Sequence, residues 1–210
     1  MRFLFIIVIS LLSFSSQAFE GTFVAKYKQF NESGDKFDFH WTFKGNKCAL
    51  KMEYTSKDIK SSTVFIPEVA NKRFLTYMPS SADKLYYEIP LSSVIGDTPK
   101  FQMQETNETK KISGIECKKF VFTLEGQNCE VWIALSVDID WNPFAAFFKT
   151  AVDIQAMAAN GIKGLPMEMI LKDERGIITQ SYTVTSFNPQ KVSDEMLAVP
   201  SGYQFKSTTE

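Results

Sequence analysis

The chain has 210 residues, 44% of them hydrophobic and 22% charged, with a formal net charge of −1. That length suits one domain and buries a real core without disulfide staples. A near-neutral balance lacks the concentrated basic footprint of a nucleic-acid binder, and the Lys110-Lys111 and Lys118-Lys119 doublets read as a solvated strand face.

Arg2, the apolar run Phe3 to Leu12 and the small polar end Ser16-Gln17-Ala18 have the three-part layout of a secretory signal peptide. The run falls short of the roughly 20 residues that a spanning helix needs. Cleavage is expected after Ala18, leaving a periplasmic or secreted chain from Phe19 with no transmembrane segment. No Cys follows the cut to carry a lipid anchor.

Strand follows strand after that. Thr22 to Gln29 places Phe23, Ala25 and Tyr27 on one face. After the turn cluster Asn31 to Asp35, Lys36 to Lys44 alternates Phe37, Phe39, Trp41 and Phe43 with Asp38, His40, Thr42 and Lys44, the mark of a half-buried antiparallel strand. Gly45-Asn46 turns into Cys48, Leu50, Met52 and Tyr54. Further strands are expected at Ser62–Ile66, Arg73–Met78, Lys84–Ile89, Phe101–Thr109, Cys117–Leu124 and Cys129–Leu135, then at Met167–Lys172 and Ile177–Phe187. Leu91 to Ile95 reads as a short helical turn.

One helix is expected near 143–159. Asn142 caps it and Pro143 suits its first turn. Phe144, Phe147, Phe148, Ala151, Ile154 and Ala158 recur at helical spacing, and Asn160-Gly161 supplies a left-handed stop. Its other faces are also apolar, so it must be covered on most sides. The fold class is therefore mainly β: a curved antiparallel sheet, an open half-barrel of about ten strands around one helix. No linker divides it, so one domain is expected over 19–206, with a frayed tail at 207–210.

The chemistry-bearing residues are sparse. Cys48, Cys117 and Cys129 allow one bridge or three buried thiols. A hairpin turning at Gly126-Gln127 sets Cys129 opposite Leu124, with Cys117 roughly 23 Å further along, too far for a disulfide. His40, the single histidine, lies on the polar side of its strand. A hydrolase would need it as base, and no G-x-S-x-G elbow supplies a nucleophile. Asp138 and Asp140 precede the helix, where acids gather for dipole reasons. Glu125, Glu130, Glu168 and Asp173 form no constellation. No nucleotide-binding or metal motif occurs, so no catalytic residue, metal or cofactor is assigned and the chain is read as a non-enzyme.

The aromatic content is the loaded trait, with 19 Phe residues. Such residues make a filled core or line a hydrophobic cavity between sheet and helix. General packing favours the filled interior. For the hollow one, Phe37, Phe39, Trp41 and Phe43 of the strand and Phe144, Phe147 and Phe148 of the helix are the lining residues.

Three segments, Lys111-Ile112-Ser113-Gly114-Ile115-Glu116-Cys117-Lys118-Lys119-Phe120 with Glu130-Val131-Trp132-Ile133, Gly164-Leu165-Pro166-Met167-Glu168, and Val199-Pro200-Ser201-Gly202-Tyr203, occur in an order that resembles a family of exported bacterial proteins, domain of unknown function 4412. Leu197 stands where that pattern has a Phe. The family is similar to the Lol-type periplasmic lipoprotein carriers, in which a curved sheet wraps inserted helices and shelters acyl chains. The resemblance implies a binding protein whose partner is a lipid or lipoprotein. The alternative is a cell-envelope interaction or scaffolding module with a solid core.

Overall fold

The computed structural model describes residues 18–30, 35–56, 59–90, 102–124, 126–148 and 151–207. The expected signal segment up to Gln17, the expected turn residues Asn31 to Gly34, the expected helical turn at Leu91 to Ile95 and Glu125 lie outside the described residues.

The strands are β1 (Glu20–Gln29), β2 (Lys36–Lys44), β3 (Lys47–Ser56), β4 (Ile59–Glu68), β5 (Arg73–Tyr77), β6 (Leu85–Pro90), β7 (Gln104–Ile112), β8 (Ile115–Leu124), β9 (Gln127–Ala134), β10 (Leu165–Lys172), β11 (Ile178–Pro189) and β12 (Gln204–Phe205). They form one 12-stranded sheet in the order β12-β6-β5-β4-β3-β2-β1-β11-β10-β9-β8-β7. The sheet is open and curved, as expected, and does not close into a barrel. Two meanders, β1 to β6 and β7 to β11, meet where β1 pairs antiparallel with β11. Register shifts at Val24/Ala25, Pro166/Glu168 and Leu171/Lys172 sit in the strands around that junction. Bulges of this kind bend a strand and raise its twist, which lets the sheet wrap its contents.

The expected single helix is two. α1 (Asn142–Ala145) and α2 (Val152–Ala159) are separated by a turn, with Ala151 extended at φ −85, ψ 91. Gln155, buried in α2, ties the two helices together, its Nε2 donating to the carbonyls of Ala145 and Phe148. Asn142 is the first residue of α1 rather than its cap. The Asp140 carboxylate accepts from the Asn142 backbone N–H and from its Nδ2, both at 3.0 Å. Gly161, at φ +63, supplies the expected left-handed stop.

The hairpin of β8 and β9 turns one residue earlier than expected. Leu124 pairs with Gln127 and Cys129 faces Phe122, not Leu124. All three cysteines are free and buried. Burial pushes the Cys48 and Cys129 thiols well up, so they behave as small apolar side chains.

Three of the four lysines in the doublets are paired with acids rather than simply solvated. Lys118 pairs with Glu105 at 2.6 Å, and Lys119 with Glu108 and Glu130 at 3.1 Å each. Lys110 reaches Glu168 and lies 4.2 Å from the centre of the Trp132 ring. Trp132 points outward from β9, and lysine stems cover it.

The chain after β11 crosses the outside of the sheet. Val192 and Leu197 pack on Ala49, Val64 and Ile66, making a second, outer core. Leu197, where the family pattern has a Phe, is buried there. Tyr203 stands edge-on to Tyr77 at 4.8 Å, and β12 then pairs parallel with the edge strand β6. That strand was not expected, because two residues carry no readable periodicity.

Candidate functional site

The concave face is solid at one end and hollow at the other. At the solid end Phe23, Phe43 and Phe144 are each 1% exposed. Trp141 closes this packing, with its ring edge-on to Phe43 at 5.4 Å and to Trp41 at 5.6 Å. Its Nε1 donates to the Gly164 carbonyl at 2.7 Å. Gly164 must be glycine: at φ +138, a Cβ would meet Ile133 Cγ2 at 2.8 Å and the Ala134 carbonyl at 2.9 Å.

At the other end of the same strands lies a partly open cavity of about 710 Å³. This corrects the expectation of a filled interior. Phe147, Phe148 and the first residues of α2 border the cavity on the helical side, and Tyr27, Phe37 and Met52 of β1 to β3 on the sheet side. β2 spans both regions. Phe43 and Phe37 stand roughly 20 Å apart along it, the first packed and the second facing the cavity.

Of the seven residues picked as lining, Phe37, Phe39 and Trp41 of β2 and Phe147 and Phe148 after α1 do line the cavity. Phe43 and Phe144 do not; Trp141 seals them into the solid end. The ring of Phe148 sits 5.0 Å from Trp41, and that of Phe147 4.8 Å from Phe74 of β5. The break between the helices is what brings both Phe side chains to the sheet. Leu50, Met52 and Phe65 complete this apolar wall. Their alternation in β3 and β4 signals burial, but nothing in it marks a cavity.

A polar stretch of wall follows on β1, β11 and α2, with Met169 and Leu171 of β10 beyond it. Asp153, the second residue of α2, lines the cavity at 6% exposure. Burial raises its pKa from 3.8 to about 6, against the pull of the Asp153 and Ile154 backbone N–H groups. Tyr182 of β11 and Tyr27 of β1 face each other in the ladder, and both phenols are pushed up by burial, with the Asp153 charge adding to it. Gln29 and Gln180, also paired, extend this wall, and Gln29 Nε2 donates to Tyr27 Oη at 3.2 Å. Among the described residues, no Lys, Arg or His lines the cavity. Asp153 was legible in one respect: it is the only acid between Asp140 and Glu168, inside an apolar run.

Trp41 Nε1 is the one buried side-chain N or O among the described residues without a hydrogen-bond partner. Leaving a buried donor unpaired costs about 1–3 kcal/mol, and this one belongs to the cavity wall.

The other chemically suggestive residues lie elsewhere. His40 sits on the convex face with its Nε2 3.2 Å from Glu53 Oε2. Asp138 offers its backbone carbonyl to the Phe19 N–H at 2.9 Å. Glu130 and Glu168 belong to the convex ion pairs, and Asp173 holds Arg175 in a turn. No group of three or more potential metal ligands occurs among the described residues. No helix among them is long and apolar enough to cross a membrane.

Comparison with solved structures places an uncharacterised conserved protein from Thermus thermophilus over 91% of this chain and 92% of its own, at 11% identity and TM-score 0.53. That likeness concerns the fold. MucB in complex with MucA(peri) aligns at TM-score 0.45 and 10% identity over 89% of this chain and 56% of MucB. A domain described as a candidate outer membrane lipoprotein-sorting protein from Vibrio parahaemolyticus aligns at TM-score 0.35 and 8% identity, over 84% and 88% of the two chains. No curated protein matches the sequence. Residues 19–203, which include every strand of the cavity wall, match the family model described as domain of unknown function DUF4412, and the chain belongs to that family.

Proposed function

We propose that this protein is an exported, non-catalytic binding protein that shelters a hydrophobic ligand, such as a lipid or a lipoprotein acyl chain, between the sheet and α2. What carries this reading is the hollow itself. Protein interiors pack to crystal-like density, yet here about 710 Å³ stays open beside Phe37, Phe39, Trp41, Phe147 and Phe148. Apolar walls with a few convergent polar groups are the usual make-up of a small-molecule site.

Nile red, a neutral apolar dye, tests it directly. The wild-type protein is expected to bind the dye with a blue-shifted emission. Met52→Arg places a charge in the half-buried apolar wall and is expected to weaken binding about tenfold or more. A wild-type protein that leaves the dye dark, with a native far-UV spectrum, removes the ligand-binding reading.

Export rests on the first eighteen residues and on how the described chain begins. Ala18 is exposed, whereas Phe19 is buried, its ring stacked on Phe187 at 5.2 Å. A cut after Ala18 falls at the border between exposed and packed chain. Intact mass of the protein recovered from the periplasm or medium is expected to correspond to a start at Phe19. A product that retains the leader in the cell overturns this.

The interaction-module alternative has one observation in its favour. Phe30, Ile177 and Ile178 are exposed near the β1–β11 end, where the Phe30 N–H donates to the Thr179 carbonyl. Its premise of a solid core is at odds with the cavity. The polar, charge-bearing edge strand β7 also discourages strand addition.

A further inference from the structure

The cavity gathers its polar side chains on β1, β11 and α2, with apolar Met169 and Leu171 of β10 beyond them, and that placement specifies a head group. Its β2-to-β5 side is built of apolar side chains. Its β1–β11 side carries Tyr27, Gln29, Gln180 and Tyr182, with Asp153 of α2 lining the cavity too. Among the described residues, Asp153 is the only carboxyl of the lining, and no cation lines the cavity with it. A negative head group brought to this wall meets an uncompensated buried carboxylate. A positive one gains a charged hydrogen bond in a dry site, and the phenol rings add the attraction of their faces for a cation.

We propose that the ligand is a single-chain amphiphile whose tail lies along the Phe39–Met52–Phe65 side and whose head is an ammonium group held at Asp153, carboxylate and phosphate heads being rejected. This deepens the ligand-binding reading and depends on it. Burial holds the Asp153 pKa at about 6, so the carboxylate is ionised at pH 8 and largely neutral at pH 5. The titratable groups whose ionisation Asp153 influences from the packed strands are Tyr27, Cys129 and Tyr182, all with pKa values raised by burial. They stay neutral throughout that range. An alkylammonium keeps its charge across it as well, its pKa being near 10.4 by analogy with lysine.

The experiment is displacement of bound Nile red from the full mature chain by decylamine, decanol and decanoate at pH 8. Decylamine is expected to outcompete decanoate by about tenfold or more, with decanol between them, as for one charged hydrogen bond. Asp153→Asn is expected to abolish that ranking, each displacement being scaled to the variant's own affinity for Nile red. Lowering the pH to 5 with the wild-type protein is expected to weaken decylamine selectively, which covers the case of a poorly folding variant. Equal displacement by all three at pH 8, or a preference for decanoate, overturns the head-group assignment and leaves the cavity reading standing. Dye binding without displacement by any of them also overturns the assignment. Absence of dye binding overturns both.

Discussion

Trp141→Ala is expected to destabilise the protein by about 4 kcal/mol, as large-to-small changes at buried aromatic positions do. Trp141 is 1% exposed and sits where three parts of the chain meet. Its ring is edge-on to Trp41 and Phe43, its Nε1 holds the Gly164 carbonyl, and its own carbonyl accepts from Phe144 and Ala145 at the start of α1. Truncation removes the ring, opens a void against Phe43 and leaves the Gly164 carbonyl short of its donor. Native stabilities are usually about 5–15 kcal/mol, so most of the margin goes. At about 2–4 °C per kcal/mol for a chain of this size, the thermal midpoint should fall by about 10 °C or more. Denaturant unfolding of the wild type and variant measures it. Trp141→Phe keeps the six-membered ring and loses the pyrrole ring with its hydrogen bond, at an intermediate cost of about 2 kcal/mol. A loss below about 1 kcal/mol for Trp141→Ala means that this residue does not seal the solid end.

Asp153→Asn should have the opposite sign at neutral pH. The folded-state pKa of Asp153, about 6, lies above the ordinary 3.8. The folded chain therefore holds this proton more tightly than the unfolded chain. The stability this provides is present in full below pH 4 and disappears as pH rises through about 6. The gap corresponds to about 3 kcal/mol. Asparagine carries no such penalty, so the variant should gain up to about 3 kcal/mol over wild type at pH 7.5. The advantage should shrink to nothing near pH 4. Glu53, Glu68 and Glu130 are held below their usual pKa, with Lys51, Arg73 and Lys172 among their partners, and they act the other way as pH falls. They lie on the surface, where screening weakens such pairs. The difference between variant and wild type cancels them. A difference that does not change between pH 4 and 7.5 shows that Asp153 is not desolvated by the cavity wall. A stabilised Asp153→Asn that loses its preference for an ammonium head would tie the penalty to ligand choice.

Site-building groups often carry such local costs. Buried Asp153 and the unpaired Trp41 Nε1 are two departures from a satisfied interior, and both belong to the cavity lining. Elsewhere the chain follows the ordinary rules. Outward Trp132 is covered by lysines that are themselves paired, and buried Gln155 uses its Nε2 on the carbonyls of Ala145 and Phe148.

Local pattern was enough for much of the architecture. The alternation in β2 placed Phe37, Phe39, Trp41 and Phe43 on one face, because side chains of a strand alternate sides whatever its neighbours are. Gly45-Asn46 and Asn160-Gly161 marked a real turn and a real helix end. The break between α1 and α2 was less legible. Phe147, Phe148, Ala151 and Ile154 fit one continuous helix as well as two, and the bonds from Gln155 span the break. The pairing of β12 with β6 depends on a chain crossing from the middle of the sheet to its edge, over the outer core at Val64 and Ile66.

From the sequence alone come the antiparallel strands, the aromatic inner face and the apolar segment that must be covered. Each of these is a statement about neighbours along the chain. Whether Phe37 and Phe43, alike in residue type and facing, touch other side chains or open space was decided only by how far Trp141, α1 and α2 extend across the curved sheet. A void is the absence of partners that distant parts of the chain could have supplied, so it emerges only when all the elements are packed.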